Sequence, residues 1–375
     1  MAKDNTPRLA AVDAGNDALK AIFSDHRRMH LPNVVIPLPE KRGIVVMESD
    51  PLQGLHLAIT SNALRDGKVT LGVGELASGY DAANEVAPGD DKSLSDQIVE
   101  MALTAVALDA VEHADADASR VHAHYTLSTG LPMREIRAHG PDAFAERFTG
   151  STHEITFLQT PNHSGKRVTL TFDRALVGVE GYAAMSHLVT DETGRIKDQT
   201  LADSHVLIVD IGGCSTDCAV FSPGLRVDNR TSEGLRLGVS SYLDAIMRDV
   251  EDAHGYRFRS RAQVVQCLTH SDTARRGHIN VKGNRTSINP IVTERLEPLA
   301  AEEYRQIRTL WDRQPELTVA YVIGGGGALL KPYLEAQNER GEHFPLRFLS
   351  AQESVWTIAE SYYTMGQLQT AAILE

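Results

Sequence analysis

Leu9-Ala-Ala-Val-Asp13-Ala-Gly15-Asn-Asp-Ala-Leu-Lys20-Ala-Ile-Phe23 decides the reading of this chain, because its outline returns as Val206-Leu-Ile-Val-Asp210-Ile-Gly212-Gly213-Cys-Ser215-Thr216-Asp217-Cys-Ala-Val-Phe221. In each copy an apolar run, read as a buried strand, ends at an aspartate; a glycine turn follows and a second apolar strand leaves. A tight turn beside a carboxylate presents backbone amides and an anionic oxygen together, so two such units facing each other can hold a polyphosphate and its metal ion. One Asp-x-Gly turn is ordinary. A pair in separate halves of the chain predicts duplicated domains with a nucleotide in the cleft between them.

The whole chain is consistent with that reading. Its 375 residues exceed what one ordinary core serves and suit two domains of similar size. The longest apolar candidate, residues 101–111, falls short of the roughly 20 residues needed to cross a bilayer, so no membrane association is expected. The start, Met1-Ala-Lys-Asp-Asn-Thr-Pro7, leads into a strand without a basic and then apolar leader, and the expected location is the cytoplasm. Cys214, Cys218 and Cys267 form no Cys-x-x-Cys pair, which argues against a disulfide framework or a zinc site. A formal net charge of −13 disfavours direct nucleic-acid binding; a protein partner or a metal-bound nucleotide fits better.

Short strands are expected from Leu31 to Gly79, broken by prolines and glycines, and the polar stretch Ala87-Pro-Gly-Asp-Asp-Lys92 precedes a helical run from Ser93. Val121 to Pro132 reads as a core strand ending in a Gly-Leu-Pro loop; a helix with Phe144 and Phe148 and strands at 154–159 and 167–172 follow. Val177-Gly-Val-Glu180 is expected to open a helix through about Val189, ahead of the turn Thr190-Asp-Glu-Thr-Gly194. A helix is expected from Leu237-Gly238-Val239-Ser240 toward Val250, and a mixed polar stretch from His254 to Asn289. Residues 290–311 then read as a long helix, 318–323 as a buried strand, Gly324-Gly-Gly-Gly327 as its turn into a helix from Ala328, and 354–372 as the final helix. The expected division is domain I at 1–189 plus 354–375, with a small subdomain at about 31–90, and domain II at 190–353, with one at about 236–310.

Asp13 and Asp210 each end a strand, where a carboxylate can accept from metal-bound waters without burying an unpaired charge, so both are expected on the magnesium side. Lys20 can meet phosphates as a point charge. Gly212 and Gly213 allow close backbone approach, Ser215 and Thr216 offer hydroxyls, and Asp217 another carboxylate. The tetraglycine turn can present bare backbone and helix N-terminal amides to adenosine or phosphate, although it is neither a Gly-x-Gly-x-x-Gly fingerprint nor a Walker loop. Glu180, before a helix between the hairpins, can orient a water toward a terminal phosphate or simply satisfy the helix dipole. The basic cluster Arg257, Arg259, Arg261, Arg275, Arg276, Lys282 and Arg285 reads as a solvated face or, if functional, as a surface for an acidic face of a neighbouring subunit. His122 and His124 read as structural or surface groups.

In order and spacing these residues resemble the actin-like ATPase superfamily, which includes actin, sugar kinases and the seventy-kilodalton heat-shock proteins. Val12-Asp-Ala-Gly15 through Lys20 is similar to its first phosphate motif, Val209 to Asp217 to its second, and Val322-Ile-Gly-Gly-Gly-Gly-Ala328 to its adenosine motif. Over nearly its full length the chain most resembles the bacterial plasmid-segregation actins of the ParM (StbA) type, with Ser128-Thr-Gly-Leu-Pro132, Glu180-Gly-Tyr-Ala-Ala184 and Arg236-Leu-Gly238-Val-Ser240 in support. The resemblance implies an α/β, ribonuclease H-like, two-domain ATPase fold with a nucleotide cleft between duplicated domains. It also implies magnesium-dependent ATP hydrolysis coupled to assembly into filaments that position plasmid DNA through a DNA-binding adaptor protein. On that basis Asp13 and Asp210 serve Mg2+ through its waters and Glu180 positions the attacking water. Gly15, Asn16, Asp17, Lys20, Gly212, Gly213, Cys214, Ser215, Thr216 and Asp217 hold phosphates; Gly324, Gly325 and Gly326 face the nucleoside, and Gly238 belongs to the same nucleotide site. Asn16 and Asp17 stand where many relatives carry hydroxyl residues, and Val179 where a proline is common. GTP stays open beside ATP because no base-reading residue is evident. A small-metabolite kinase or a non-polymerising nucleotide switch would share the fold.

Overall fold

The structure, a computed structural model, describes residues 7–43, 49–80, 83–87, 90–191 and 193–374. Residues 1–6, 44–48 within the run of short strands, Pro88 and Gly89 of the polar stretch, and Glu192 of the 190–194 turn lie outside the described residues. Both hairpins form. Arg8–Ala14 pairs antiparallel with Ala18–Phe23, and Val206–Ile211 with Thr216–Ser222. The residues of Val206–Ile211 are all buried, as a strand covered on both faces requires.

Around each hairpin the sheet grows by the same plan. In the first, Arg8–Ala14 pairs in parallel with Arg120–Leu131, which pairs in parallel with Arg167–Val179; Arg28–Pro32 closes the far edge of the hairpin. In the second, Val206–Ile211 pairs in parallel with Val319–Ile323 and that strand with Leu346–Phe348, while Arg226–Val227 lies on the far side. Parallel neighbours need crossover connections. Helix Asp96–Glu112 leads into Arg120–Leu131, Asn289–Arg313 into Val319–Ile323, and Gly324–Arg340 into Leu346–Phe348. The first sheet continues through His153–Phe157, His56–Thr60, Lys68–Val73, Val34–Pro37 and Asn84–Glu85.

One core packs under the first sheet, where Asp96–Glu112 contributes a helix buried nearly all round. A second packs under the other sheet, with Leu243, Leu296, Ile307 and Leu330. A third lies between the sheets. There Ala184 and Met185 of helix Glu180–Val189, with Ile358, Ala359 and Tyr362 of helix Ala351–Leu374, meet Leu9, Ala11, Val206 and Ile208 of the two inner strands. This shared layer brings the ends of those strands, at Asp13 and Asp210, to one cleft.

Two boundaries differ from expectation. The strand from Arg167 runs on to Val179, because β-branched Val177 and Val179 continue the pairing with Thr129 and Leu131; the helix begins at Glu180 itself. The tetraglycine segment is already helical from Gly324. Larger residues are disfavoured at Gly326 and Gly327, where a Cβ would stand 2.7 Å from Ile211 and 3.0 Å from Val322. The stretch 254–289 contains helix Arg261–Leu268 and the strand pair His278–Val281 with Asn284–Ser287.

Candidate functional site

A cavity of about 540 Å³ opens between the hairpins. Asp13, Gly15, Asn16, Asp17, Lys20, Glu180, Asp210, Gly212, Gly213, Ser215, Gly324, Gly325 and Gly326 all line it. Cys214, Thr216, Asp217 and Gly238 are not among the lining residues.

The register of the first hairpin sets Lys20 directly opposite Asp13, with Nζ 3.3 Å from Oδ2. The adjoining strand sets His30 opposite Lys20; burial, then the lysine charge, pushes its imidazole down to about 4, so it is neutral near pH 7. The turn is braced from behind, since buried Asn33 donates its backbone N–H to the Asp17 carbonyl and its side-chain amide to the Gly15 carbonyl. Asn16 is buried at the cavity, and its Oδ1 has no partner among the described residues. The Asp17 carboxylate also reaches the second half of the chain, accepting from Ser240 Oγ at the start of helix Ser240–His254 at 2.9 Å.

The second hairpin sets Asp210 opposite Asp217 rather than a lysine. Burial and the Glu180, Asp217 and Asp13 carboxylates push Asp210 far above the usual carboxylate range. Burial and Glu180 push Asp217 up to about 7, while Asp217 Oδ2 accepts the Met133 N–H at the start of helix Met133–His139. That bond joins the second hairpin to the first half of the chain and turns Asp217 from the cavity. Thr216 is likewise turned inward, its hydroxyl 2.9 Å from the Leu237 carbonyl and 2.7 Å from Glu303 Oε1. Cys214 Sγ lies 3.8 Å from the Ala87 carbonyl. Gly238 packs backbone on backbone, where a Cβ would stand 2.3 Å from the Gly213 carbonyl oxygen.

Gly324 is held at φ +80°, and a Cβ there would meet Asp210 Oδ1 at 2.4 Å; only glycine fits beside that carboxylate. Gly325 differs, since a Cβ there would meet nothing within 4 Å. Its backbone faces open cavity.

Lys92 and Glu180 also meet in the wall, Nζ to Oε1 at 2.6 Å, with both side chains nearly sealed from solvent. Burial pushes the Glu180 carboxyl up, and Lys92 is the charge that opposes it. Burial likewise opposes the Lys92 charge, but Glu180, Asp13 and Glu135 outweigh it and hold the ammonium protonated. Among the described residues, Lys20 is paired with Asp13 and Lys92 with Glu180, and Lys92 is the cation that opposes the upward shift of Asp210. Crowded carboxyl oxygens whose ionised form a cation would favour, and the buried Asn16 amide oxygen lacking a partner among the described residues, suit a hard divalent cation such as magnesium.

A model of the N-terminal domain of actin-like proteins matches residues 11–182, and a model of the Alp7A C-terminal domain matches residues 205–343. The chain belongs to the actin-like proteins. Each model takes in most of one hairpin and of the sheet around it, and together they span well over half of the sequence. Among solved structures, ParM of Bacillus thuringiensis with ATP is 20% identical with a TM-score of 0.72, covering 97% of this chain and 99% of its own. The crystal structure of the actin-like protein Alp7A has a TM-score of 0.78 at 15% identity, covering 98% of this chain and 97% of its own. A 15-stranded ParM filament from Clostridium botulinum gives 0.73 at 18%, covering 96% and 99%. At these identities the likeness concerns the fold. No curated protein matches.

The basic cluster of this actin-like protein is not uniform. Arg261 is buried, contrary to the solvated face expected for it. It grips Asp244 with Nε and Nη2 at 2.7 and 2.9 Å, donates Nη1 to the Val86 carbonyl at 2.9 Å, and lies 3.3 Å from Asp17 Oδ1. Its backbone N–H donates to Glu85 Oε1. Arg261 thus crosses the cleft mouth between helices of the second half and the first hairpin. Lys92, Glu135 and Arg261 were absent from the expected site, because their partners are remote in sequence.

Proposed function

We propose that this actin-like protein binds ATP with magnesium between its hairpins, hydrolyses it, and uses the cycle to assemble filaments that segregate plasmid DNA through a DNA-binding adaptor. The observation that carries the reading is the convergence of two Asp-ended hairpins, one from each repeated sheet, on one cavity with an open glycine backbone at Gly325. Its volume of about 540 Å³ suits a small-molecule ligand. Further support comes from relatives of the same fold: Bacillus thuringiensis ParM with ATP, ADP and AMPPNP, and the Clostridium botulinum ParM filament.

In this reading Asp13 and Asp210, with Asn16 Oδ1 as a further acceptor, would hold the metal. Bound magnesium neutralises phosphate charge. Lys20 and the backbone amides of both turns receive the phosphate oxygens, and the carboxylate of Glu180 orients the attacking water and accepts its proton. Cys214, Thr216, Asp217 and Gly238 support the second turn from behind. Residues 1–189 with 354–375 and residues 190–353 act as two lobes, with smaller outworks at about 31–90 and 236–310, whose closure on nucleotide is the two-state element. The protein works in the cytoplasm and touches DNA only through its adaptor.

Sedimentation of the purified protein with Mg2+ and ATP, with released phosphate measured in parallel, tests the proposal. The expected result is pelleting that follows ATP addition and reverses as phosphate accumulates. Phosphate release without any sedimentable species, across protein concentration and salt, removes the filament reading; absence of release removes the hydrolytic one.

A further inference from the structure

We propose that Lys92 is a positioning residue for Glu180, holding its carboxylate toward the attacking water; this rests on the hydrolytic reading of the cleft. The pair is built rather than incidental. Lys92 opens the short 3-10 turn Lys92–Leu94, and both oxygens of the Glu135 carboxylate fix that turn, accepting the Lys92 N–H at 3.0 Å and the Ser93 N–H at 2.8 Å. Glu135 is itself buried on helix Met133–His139, whose first N–H is held by Asp217 of the second hairpin. A chain of bonds therefore runs from the second hairpin through Glu135 to the Lys92 backbone, and from the Lys92 ammonium to Glu180. Lys92 and Glu180 both line the cavity that Asp13 and Asp210 enter. A carboxylate in a crowd of carboxylates swings away from them unless a cation fixes it, and Lys92 is the cation in contact with Glu180.

The approach to Lys92 is also tied to the opposite lobe. Arg261 takes the Val86 carbonyl and Glu85, and Arg236, beside the second hairpin's outer strand, stands 3.6 Å from Asp91 Oδ1. These contacts tie Glu85, Val86 and Asp91, ahead of the Lys92 turn, to the second half of the chain.

The test uses the full-length protein with Lys92→Met, Glu180→Gln, the double variant and Glu135→Gln, measuring Mg-ATP affinity by titration, single-turnover hydrolysis and melting temperature. In Lys92→Met the affinity is expected to stay within about threefold of wild type while the hydrolysis rate falls about 100-fold. The double variant is expected to be no slower than Glu180→Gln alone, as for two residues serving one function. Glu135→Gln, which loosens the turn and leaves the Lys92–Glu180 charges in place, covers misfolding of Lys92→Met; its rate is expected to fall about tenfold at unchanged affinity. Wild-type rates in Glu135→Gln or Lys92→Met, or losses that multiply in the double variant, overturn the assignment while leaving the cleft reading intact. A wild-type protein that binds ATP and never cleaves it removes both.

Discussion

Arg261→Met removes a guanidinium from the mouth of the cleft while keeping much of its apolar stem. In the native chain the side chain is 4% exposed and grips Asp244 at 2.7 and 2.9 Å, the Val86 carbonyl at 2.9 Å and Asp17 at 3.3 Å, with Glu85 Oε2 at 3.7 Å. Its loss leaves three acids around a vacated centre. Removing one partner of a buried ion pair costs about 3–5 kcal/mol, and the lower end applies here because Asp17 keeps Ser240 and Asp244 has access to water. About 3 kcal/mol is therefore expected from urea unfolding at pH 7.5. The exposed pair Arg305 and Glu302 is the control, and Arg305→Ala is expected to cost less than about 1 kcal/mol. The defect also has a sign in pH. Burial already pushes Glu85 up against the opposing pull of Arg261, so without the cation its folded-state value rises further above the unfolded one. The variant's penalty is then full near neutrality and shrinks as pH falls and the orphaned acids take up protons. A penalty below about 1 kcal/mol at pH 7.5, or one unchanged at pH 5, refutes the assignment of Arg261 as a cross-cleft tie.

Glu100 lies on the buried helix Asp96–Glu112, where burial, then the Asp96 charge, pushes its carboxyl from 4.5 up to about 7. The unfolded chain releases that proton first, so native stability is lost as pH rises from about 4.5 to about 7; Glu100→Gln is expected to gain up to about 3 kcal/mol at pH 8 and little near pH 4.5, and equal stabilities at pH 8 contradict this. Tyr362 Oη is buried without a partner among the described residues, and Gly130 leaves room for it, since a Cβ there would stand 2.0 Å away. Tyr362→Phe is therefore expected to be neutral or to stabilise by about 1 kcal/mol in thermal unfolding, and a comparable loss contradicts it.

The hairpins were legible because burial, a terminal aspartate and a glycine turn are written in consecutive residues. The duplication was legible from the pair of hairpins, and Arg120–Leu131 and Val319–Ile323 read as core strands; that each lies parallel beside its own hairpin was not, since no turn or residue pattern shared between them marks it. Within the second turn the residue types were visible but their directions were not. Ser215 faces the cavity, whereas Thr216 and Asp217 are claimed by Glu303 and Met133, 87 and 84 residues away. Lys92 gave no signal in a polar stretch, because its two anchors, Glu135 and Glu180, come from helices 43 and 88 residues on. Composition carries no burial, so the sequence alone leaves Arg261 among its basic neighbours; Asp17, 244 residues earlier, is one of the groups that hold it inside.

On the proposed function, nucleotide sits between the hairpins against the open glycine backbone of Gly325. Calorimetric titration of ATP with Mg2+ into wild type and Gly325→Val tests it most directly. A valine there enters empty cavity and meets no protein atom at its Cβ, so the variant should melt as wild type does. One ATP per wild-type chain and at least about tenfold weaker binding in the variant are expected, as for a side chain in the ligand's place. Equal affinity in a folded Gly325→Val, or no binding by wild type, contradicts it.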